Sequence, residues 1–164
     1  MATIRAAGML SVEITEEFDP SLPPVLAHRD ALVQVLINLI SNARDACFDA
    51  FPETGEGGQI TIRTRYVGGH MFSTNRRGRT VPLPIEVSVS DNGNGIEHEV
   101  KDRLFEPFVT SKQSGQGLGL ALVRKLVREM NGTITHERER GRGLTHFRLH
   151  LPIATADTNT KDRP

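Results

Sequence analysis

The segment "RDALVQVLINLISNARDACFD" at residues 29–49 carries the strongest helical pattern in the chain. When its residues are placed 100° apart, apolar side chains cover most of the circumference and leave one narrow polar band. That band consists of Gln34, Asn38, Ser41, Asn42, Asp45 and Asp49. A solvent-facing stripe is the ordinary interpretation, but such stripes favour Lys, Glu and Arg, whereas asparagine in mid-helix costs stability. Because Asn38 and Asn42 lie one turn apart, their amide oxygens are aligned in a way that suits a hard cation such as Mg²⁺.

Length and composition limit the class of protein. With 164 residues the chain fits a single domain that can bury a core. Lys plus Arg and Asp plus Glu each total 20, so no net charge attracts nucleic acid or an acidic membrane surface. The single cysteine, Cys47, excludes an internal disulfide, and we expect a packed thiol in a reducing compartment. No transmembrane or signal-peptide pattern is present, so we expect a cytoplasmic domain whose parent is soluble or anchored to the inner membrane elsewhere.

The flanking segments predict a sheet that the long helix covers. Strands are expected at residues 11–18, 58–67, 85–91, 132–139 and 144–152, and further helices at 97–104 and 118–130. A polar loop is expected at 68–84 and a disordered tail at 153–164. Hairpins at both ends imply a mixed sheet. The predicted fold class is therefore α+β, a two-layer α/β sandwich with about five strands and about three helices on one face.

A turn with two alternate glycines follows the predicted central strand. In "SVSDNGNGI" at residues 88–96, Asp91 ends the strand, and Gly93 and Gly95 follow it. A simple turn explains one glycine, whereas two indicate that a flat ligand passes close to the backbone. A fixed aspartate can accept a hydrogen bond from an exocyclic amine such as that of adenine, and Ile96 would cover one face of the ring.

Three glycines crowd the start of the later helix in "SGQGLGLALVRKLVREM" at residues 114–130. A mobile hinge would explain Gly115, Gly117 and Gly119 but not why a helix begins among them. The unpaired N–H groups of a helix start favour anions, so the bare backbone predicts a polyphosphate site. No G-x-x-x-x-G-K-[ST] segment and no G-x-G-x-x-G after a strand is present, which argues against the P-loop and Rossmann classes.

These motifs occur together in an order that resembles the ATP-binding catalytic domain of bacterial sensor histidine kinases, within the gyrase, Hsp90, histidine-kinase and MutL superfamily. The resemblance covers about residues 12–152 and rests on four segments. They are "LINLISNARDA" (36–46), "DNGNGI" (91–96), "LFEPF" (104–108) and "GQGLGLAL" (115–122). The segments "GGHMFSTNRRGRTVPLPIEVSVSDNG" (68–93) and "FVTSKQSGQGLGLALV" (108–123) are most similar to nitrogen-regulation sensor kinases. The resemblance implies a Bergerat fold over residues 1–152, with an ATP lid at 97–117.

The same resemblance assigns roles to individual residues. Asn42 would hold Mg²⁺, Asn38 would order the triphosphate, and Lys112 would neutralise the γ-phosphate. Asp91 would bind the adenine amine, and Thr145 would lie near the adenine. The remaining expected nucleotide contacts are Gly93, Gly95 and Ile96 at the base, Phe105 and Phe108 as anchors of the lid, and Gly115, Gly117, Leu118 and Gly119 at the phosphates. Many relatives carry Lys three residues after the Mg²⁺ asparagine, where this chain has Asp45, so that phosphate contact is in doubt.

The resemblance also implies a reaction and partners. ATPases of the superfamily place a glutamate at the position of Asn38 to activate water, so asparagine there favours phosphoryl transfer to histidine. The segment "HEVKD" at 98–102 imitates the acceptor motif but lacks its proline and lies at the lid. We therefore expect the acceptor histidine on a separate dimerisation domain, with a response regulator as the next partner and this fragment as a monomer cut from a homodimeric kinase. The alternatives are a nucleotide-sensing binding module and a stand-alone ATPase.

Overall fold

The computed structural model describes residues 12–51, 57–68, 72–74, 78, 80–110 and 117–154. These residues form three helices and seven strands: β1 (Glu13–Glu17), α1 (Arg29–Ala50), β2 (Gln59–Tyr66), β3 (Phe72–Thr74), β4 (Thr80–Pro82), β5 (Ile85–Asp91), α2 (His98–Lys101), α3 (Gly119–Glu129), β6 (Thr133–Glu139) and β7 (Leu144–Leu151). The predicted central strand coincides with β5, and the long helix extends one residue beyond its predicted end.

Five strands form one sheet in the order β1–β2–β5–β7–β6. β1 runs parallel to β2, while the other three pairings are antiparallel. The pairing of β1 with β2, which are joined through α1, is what makes the sheet mixed. The predicted two-layer α/β sandwich with a mixed five-stranded sheet is confirmed.

The core lies between the sheet and the two longer helices. α1 contributes Val35, Leu39, Ala43 and Cys47, which recur every four residues and are almost fully buried. Val123 and Val127 on α3 are fully buried in the same cluster. β5 meets this layer with its odd-numbered residues, and the last of them is Asp91. The packed thiol expected at Cys47 is present, since this side chain is 0% exposed.

The opposite face of the sheet is polar and is held by ion pairs. Glu86 on β5 is buried beneath Arg65, which donates two hydrogen bonds to its carboxylate at 2.7 and 3.1 Å. Arg148 and Glu137 pair across β7 and β6 at 2.5 Å. With its apolar residues on one face only, the sheet buries that face against the helices.

Three segments depart from the sequence-based expectations. The predicted loop at 68–84 contains a short antiparallel hairpin formed by β3 and β4. The predicted helix at 97–104 is reduced to α2, a single turn with no buried residue. Ile153 pairs with Val25, and Ala154 N–H donates to Pro24 O, so ordered backbone continues two residues past the predicted boundary. The rest of the predicted tail lies outside the described residues. None of the described helices has the length and apolarity to cross a membrane.

Candidate nucleotide site

A cavity of about 430 Å³ opens between α1, the end of β5 and the start of α3. This volume lies within the range of small-molecule sites. It is lined by eight of the residues that the sequence predicted as ligand contacts: Asn42, Asp91, Gly95, Ile96, Gly117, Leu118, Gly119 and Thr145. The fold therefore brings together segments that lie more than 100 residues apart in the chain.

Asp91 forms the buried acidic end of this cavity. Its side chain is 3% exposed, and its Oδ1 accepts a hydrogen bond from Gly93 N–H at 3.0 Å. Burial raises the pKa of Asp91 to about 6, and the Gly93 hydrogen bond and the positive charge of Arg138 oppose that rise. A buried carboxylate with one backbone donor keeps acceptor capacity for a ligand amine.

The turn after Asp91 is held in place by contacts with β2 and with α1. Asn92 Oδ1 accepts from Gln59 N–H at 2.7 Å, and Asn94 N–H donates to Ala46 O at 3.3 Å. A Cβ on Gly93 would lie 2.4 Å from the carbonyl carbon of Ala46, so this glycine lets the turn rest on the main chain of α1. The two alternate glycines predicted a ligand that passes close to the backbone, but packing of the protein already requires Gly93.

Gly95 must also lack a side chain, but for a different reason from Gly93. Its φ of +80° lies in the left-handed region, and a Cβ there would meet Arg138 Nη1 at 2.8 Å. The residue lines the cavity as predicted. Its lack of a side chain therefore serves the turn and the neighbouring guanidinium at the same time.

The polar band of α1 divides into residues at the cavity and residues beside it. Asn42, Asp45 and Asp49 line the cavity, whereas Asn38 does not. Asn38 Nδ2 donates to Gln34 O at 2.8 Å, and its Oδ1 lies 3.2 Å from the position a Cβ on Gly119 would occupy. Asn38 thus faces the first turn of α3.

The same band provides the oxygen donors that a Mg²⁺ ion prefers. Asn42 offers an amide oxygen, and carboxylates of Asp45 and Asp49 lie on the same wall. Within the described part of the chain, no group of three or more His, Cys, Asp or Glu side chains could hold a metal ion by itself. The residues therefore fit a Mg²⁺ ion that takes few protein ligands and completes its coordination with water and phosphate oxygens.

The start of α3 forms the opposite wall. Leu118, its N-cap residue, makes no side-chain hydrogen bond to the helix, and the first turn contains no acidic side chain. The positive end of the helix dipole is therefore not neutralised by its own sequence. None of the described residues that line the cavity carries a positive charge, so α3 supplies the main attraction for an anion on this side.

The two phenylalanines of the lid behave differently. Phe105 packs edge-on against Phe147 with ring centroids 6.4 Å apart, as expected for an anchor. Phe108 has a φ of +65° and is 77% exposed, so its ring lies largely in solvent, and its role as an anchor of the lid stays a prediction. The backbone of Phe108 ties this segment to the start of α3, because Phe108 N–H donates a hydrogen bond to Gly117 O at 3.0 Å.

Gly117 permits this contact. Its φ is +67°, and a Cβ would lie 2.6 Å from the carbonyl carbon of Phe108. Packing thus accounts for this glycine as it does for Gly93. Lys112 and Gly115 lie outside the described residues, so their predicted roles at the phosphates stay predictions.

Comparison with known protein families shows to which family the chain belongs. Residues 27–155 match the family described as histidine kinase-, DNA gyrase B-, and HSP90-like ATPase. This chain belongs to that family. The match includes all three described helices and strands β2 to β7, and it confirms the family inferred from the four sequence segments.

Individual relatives narrow the assignment to the catalytic domains of sensor histidine kinases. The sensory histidine kinase/phosphatase NtrB of Rhizobium meliloti (strain 1021) is 37% identical over 163 residues, which cover 99% of this chain and 41% of that protein. The solved catalytic domain of histidine kinase ThkA is 32% identical with a TM-score of 0.62, covering 86% of this chain and 78% of that one. Full-length ShkA in complex with AMPPNP is 29% identical with the same TM-score, covering 88% and 26%. The chain thus spans less than half the length of the curated NtrB relative.

One residue next to this cavity, outside its lining, does not stand out in the sequence. Arg138 on β6 donates to Gly93 O at 2.9 Å and to Thr145 Oγ1 at 2.7 Å. Arg138 stands in the run "HERERGRG", which has the composition of a solvent-exposed charged hairpin and so gives no reason to single it out. The alternation of residues along β6 does indicate its position, since Ile134, His136 and Arg138 share the face that packs on the core.

Proposed function

We propose that this domain binds ATP with Mg²⁺ and transfers the γ-phosphoryl group to a histidine on the dimerisation domain of its parent kinase. The observation that carries the proposal is the cavity geometry: the buried carboxylate of Asp91 at one end, and the first turn of α3 facing the polar band of α1 at the other. An adenine amine fits the first end and a polyphosphate fits the second. The ShkA complex with AMPPNP, an ATP analogue, supports the same choice of ligand.

The residues of this chain act mainly by positioning the nucleotide. Asp91 accepts the hydrogen bond of the amine, while Ile96 and the glycine turn enclose the base. Asn42 would hold Mg²⁺, which when bound neutralises charge on the terminal phosphates. The N–H groups at the start of α3 would orient the phosphate chain, and Lys112 would add a positive charge there. Holding the γ-phosphate in line with an incoming imidazole supplies most of the catalytic effect that such a site offers.

Asn38 favours transfer over hydrolysis. An amide cannot take a proton from water, and its Nδ2 is already engaged with Gln34 O at 2.8 Å. A neutral imidazole needs no such base, because its ring nitrogen carries a lone pair. We therefore propose a histidine acceptor on the separate domain, a response regulator as the following partner, and the cytoplasm as the compartment. We also propose that this domain itself is monomeric.

The test combines this chain with a purified acceptor domain and ATP labelled at the γ-phosphate. Asn42→Ala should abolish labelling of the acceptor, because it removes the Mg²⁺ ligand. Gln34→Ala, an exposed residue two turns earlier on the same helix, is the matched control and should label normally. Full labelling by the Asn42 variant would contradict the assignment. Rapid phosphate release by the domain alone, without labelling, would favour the ATPase alternative.

A further inference from the structure

Arg138 lies in a row of three residues that crosses the sheet beneath the cavity. Arg138 on β6 is opposite Thr145 on β7, which is opposite Asp91 on β5. Directly opposed residues of antiparallel strands point to the same face, so all three side chains point toward the helices. Asp91 and Thr145 are 3% and 2% exposed and both line the cavity.

A single nitrogen of Arg138 joins the turn to the sheet. Its Nη1 donates to the Gly93 carbonyl oxygen at 2.9 Å and to Thr145 Oγ1 at 2.7 Å. The guanidinium also lies under Gly95, since a Cβ there would be 2.8 Å from the same nitrogen. Arg138 therefore supports the turn through contacts that are separate from those with Ala46.

The contact with Thr145 determines what its hydroxyl can do. A guanidinium can only donate, so Thr145 Oγ1 must accept from it and keeps its own hydrogen for another acceptor. The cavity then presents a donor at Thr145 beside an acceptor at Asp91. With its exocyclic group at Asp91, adenine presents an amine hydrogen to the carboxylate and a ring nitrogen to the Thr145 hydroxyl, whereas guanine in the same orientation would place a carbonyl oxygen against the carboxylate and an N–H against the hydroxyl hydrogen.

The charge of Arg138 also acts on Asp91. It lowers the pKa of Asp91 against the dominant effect of burial, which brings that pKa to about 6. The other titratable groups on this side come from α1: Asp45 and Asp49 line the cavity, and the pKa of Cys47 is raised by burial and by Asp91. Together with the Gly93 hydrogen bond, which is the larger of the two opposing effects, Arg138 favours an ionised, accepting Asp91 near neutral pH.

We propose that Arg138 is a positioning residue that sets the preference for adenine, by holding the 92–95 turn and by directing the hydroxyl hydrogen of Thr145 into the cavity. This inference rests on the proposed function, because it concerns the same nucleotide site.

The experiment compares the full 164-residue chain with Arg138→Met and Arg138→Lys by calorimetric titration with ATP and with GTP, each with Mg²⁺, at pH 6.5 and 8.5. Loss of a charged hydrogen-bond donor should weaken ATP binding of the Met variant about tenfold or more at pH 6.5. The loss should be smaller at pH 8.5, because removal of the cation raises the pKa of Asp91 and leaves more of it protonated at the lower pH. The lysine variant keeps the charge and should retain the wild-type pH profile with part of the affinity.

Arg142 in the same hairpin provides the matched control. Its side chain is 77% exposed and pairs only loosely with Glu139, at 3.6 Å, so Arg142→Gln should bind ATP as the wild type does. The ratio of ATP affinity to GTP affinity should fall in the Met variant. Neither this ratio nor the pH dependence of ATP binding depends on how much of the protein is folded.

The outcomes separate the two proposals. If the wild type binds ATP and the Met variant shows the same affinity, base preference and pH profile, the inference is overturned. An equal loss for ATP and GTP at both pH values also overturns it, since that is the signature of a purely structural residue. If the wild type itself binds no nucleotide, the proposed function fails and this inference fails with it.

Discussion

Replacing Asp91 with asparagine should make the ligand-free domain more stable while it weakens nucleotide binding. The wild-type carboxylate is 3% exposed, and its pKa is raised from 3.8 to about 6. An acid with a raised pKa in the folded state destabilises that state once the pH exceeds the unfolded value. The difference corresponds to about 3 kcal/mol at pH 7 and falls to about 1 kcal/mol at pH 4.5, where most of the native carboxyl is protonated. Asparagine removes this cost and can still accept from Gly93 N–H.

The measurement is urea unfolding of both proteins at pH 7 and pH 4.5. The free energy of unfolding of the variant should exceed that of the wild type by up to about 3 kcal/mol at pH 7 and by much less at pH 4.5. Asp49→Asn, an exposed acid at the same cavity, is the matched control and should give no pH-dependent gain. ATP with Mg²⁺ should stabilise the wild type but not the Asp91 variant. A variant that is less stable than the wild type at pH 7, or a difference that does not change with pH, would refute the reasoning.

Three further substitutions test the packing around the cavity. Leu39→Ala removes a fully buried side chain of α1 and should lower the free energy of unfolding by about 2–5 kcal/mol, measured by denaturant titration. Gly93→Ala places a Cβ 2.4 Å from the main chain of Ala46, so it should lower the free energy of unfolding by about 1–3 kcal/mol and weaken nucleotide binding. Gly141→Ala is the control and should change neither quantity, because no atom lies within 4 Å of the added Cβ. Phe108→Ser should leave the free energy of unfolding, measured by denaturant titration, within about 0.5 kcal/mol of the wild type, because the ring is 77% exposed; a larger loss would show that the ring does anchor the lid.

The elements with a clear hydrophobic period could be predicted from the sequence. The apolar residues of α1 recur every three or four positions, and β5 alternates Ile85, Val87 and Val89, so a local pattern defined both elements closely. The cavity followed from the order of motifs, since eight predicted contacts line it. These successes depend on side chains whose spacing along the chain reports which face they occupy.

Features set by contacts between distant segments could not be predicted in this way. The parallel pairing of β1 depends on β2, more than 40 residues later. The hairpin of β3 and β4 is too short for a period to be visible. Gly93 and Gly117 looked like ligand-contacting positions because a sequence does not show that the main chain of α1, or of Phe108, occupies the space of the missing side chain.

Because Gly93 packs directly on the main chain of Ala46, α1 sets the distance between Asn42 and the turn at residues 92–95. Ala46 lies four residues after Asn42, so a rise of about 6 Å along the helix axis separates Asn42 from the main-chain support of the 92–95 turn. No adjustable side chain intervenes between that turn and the helix. A sliding movement of α1 must therefore carry the turn with it or break the hydrogen bond from Asn94 N–H to Ala46 O. The position of α1 and the position of the turn that would hold the base therefore change together.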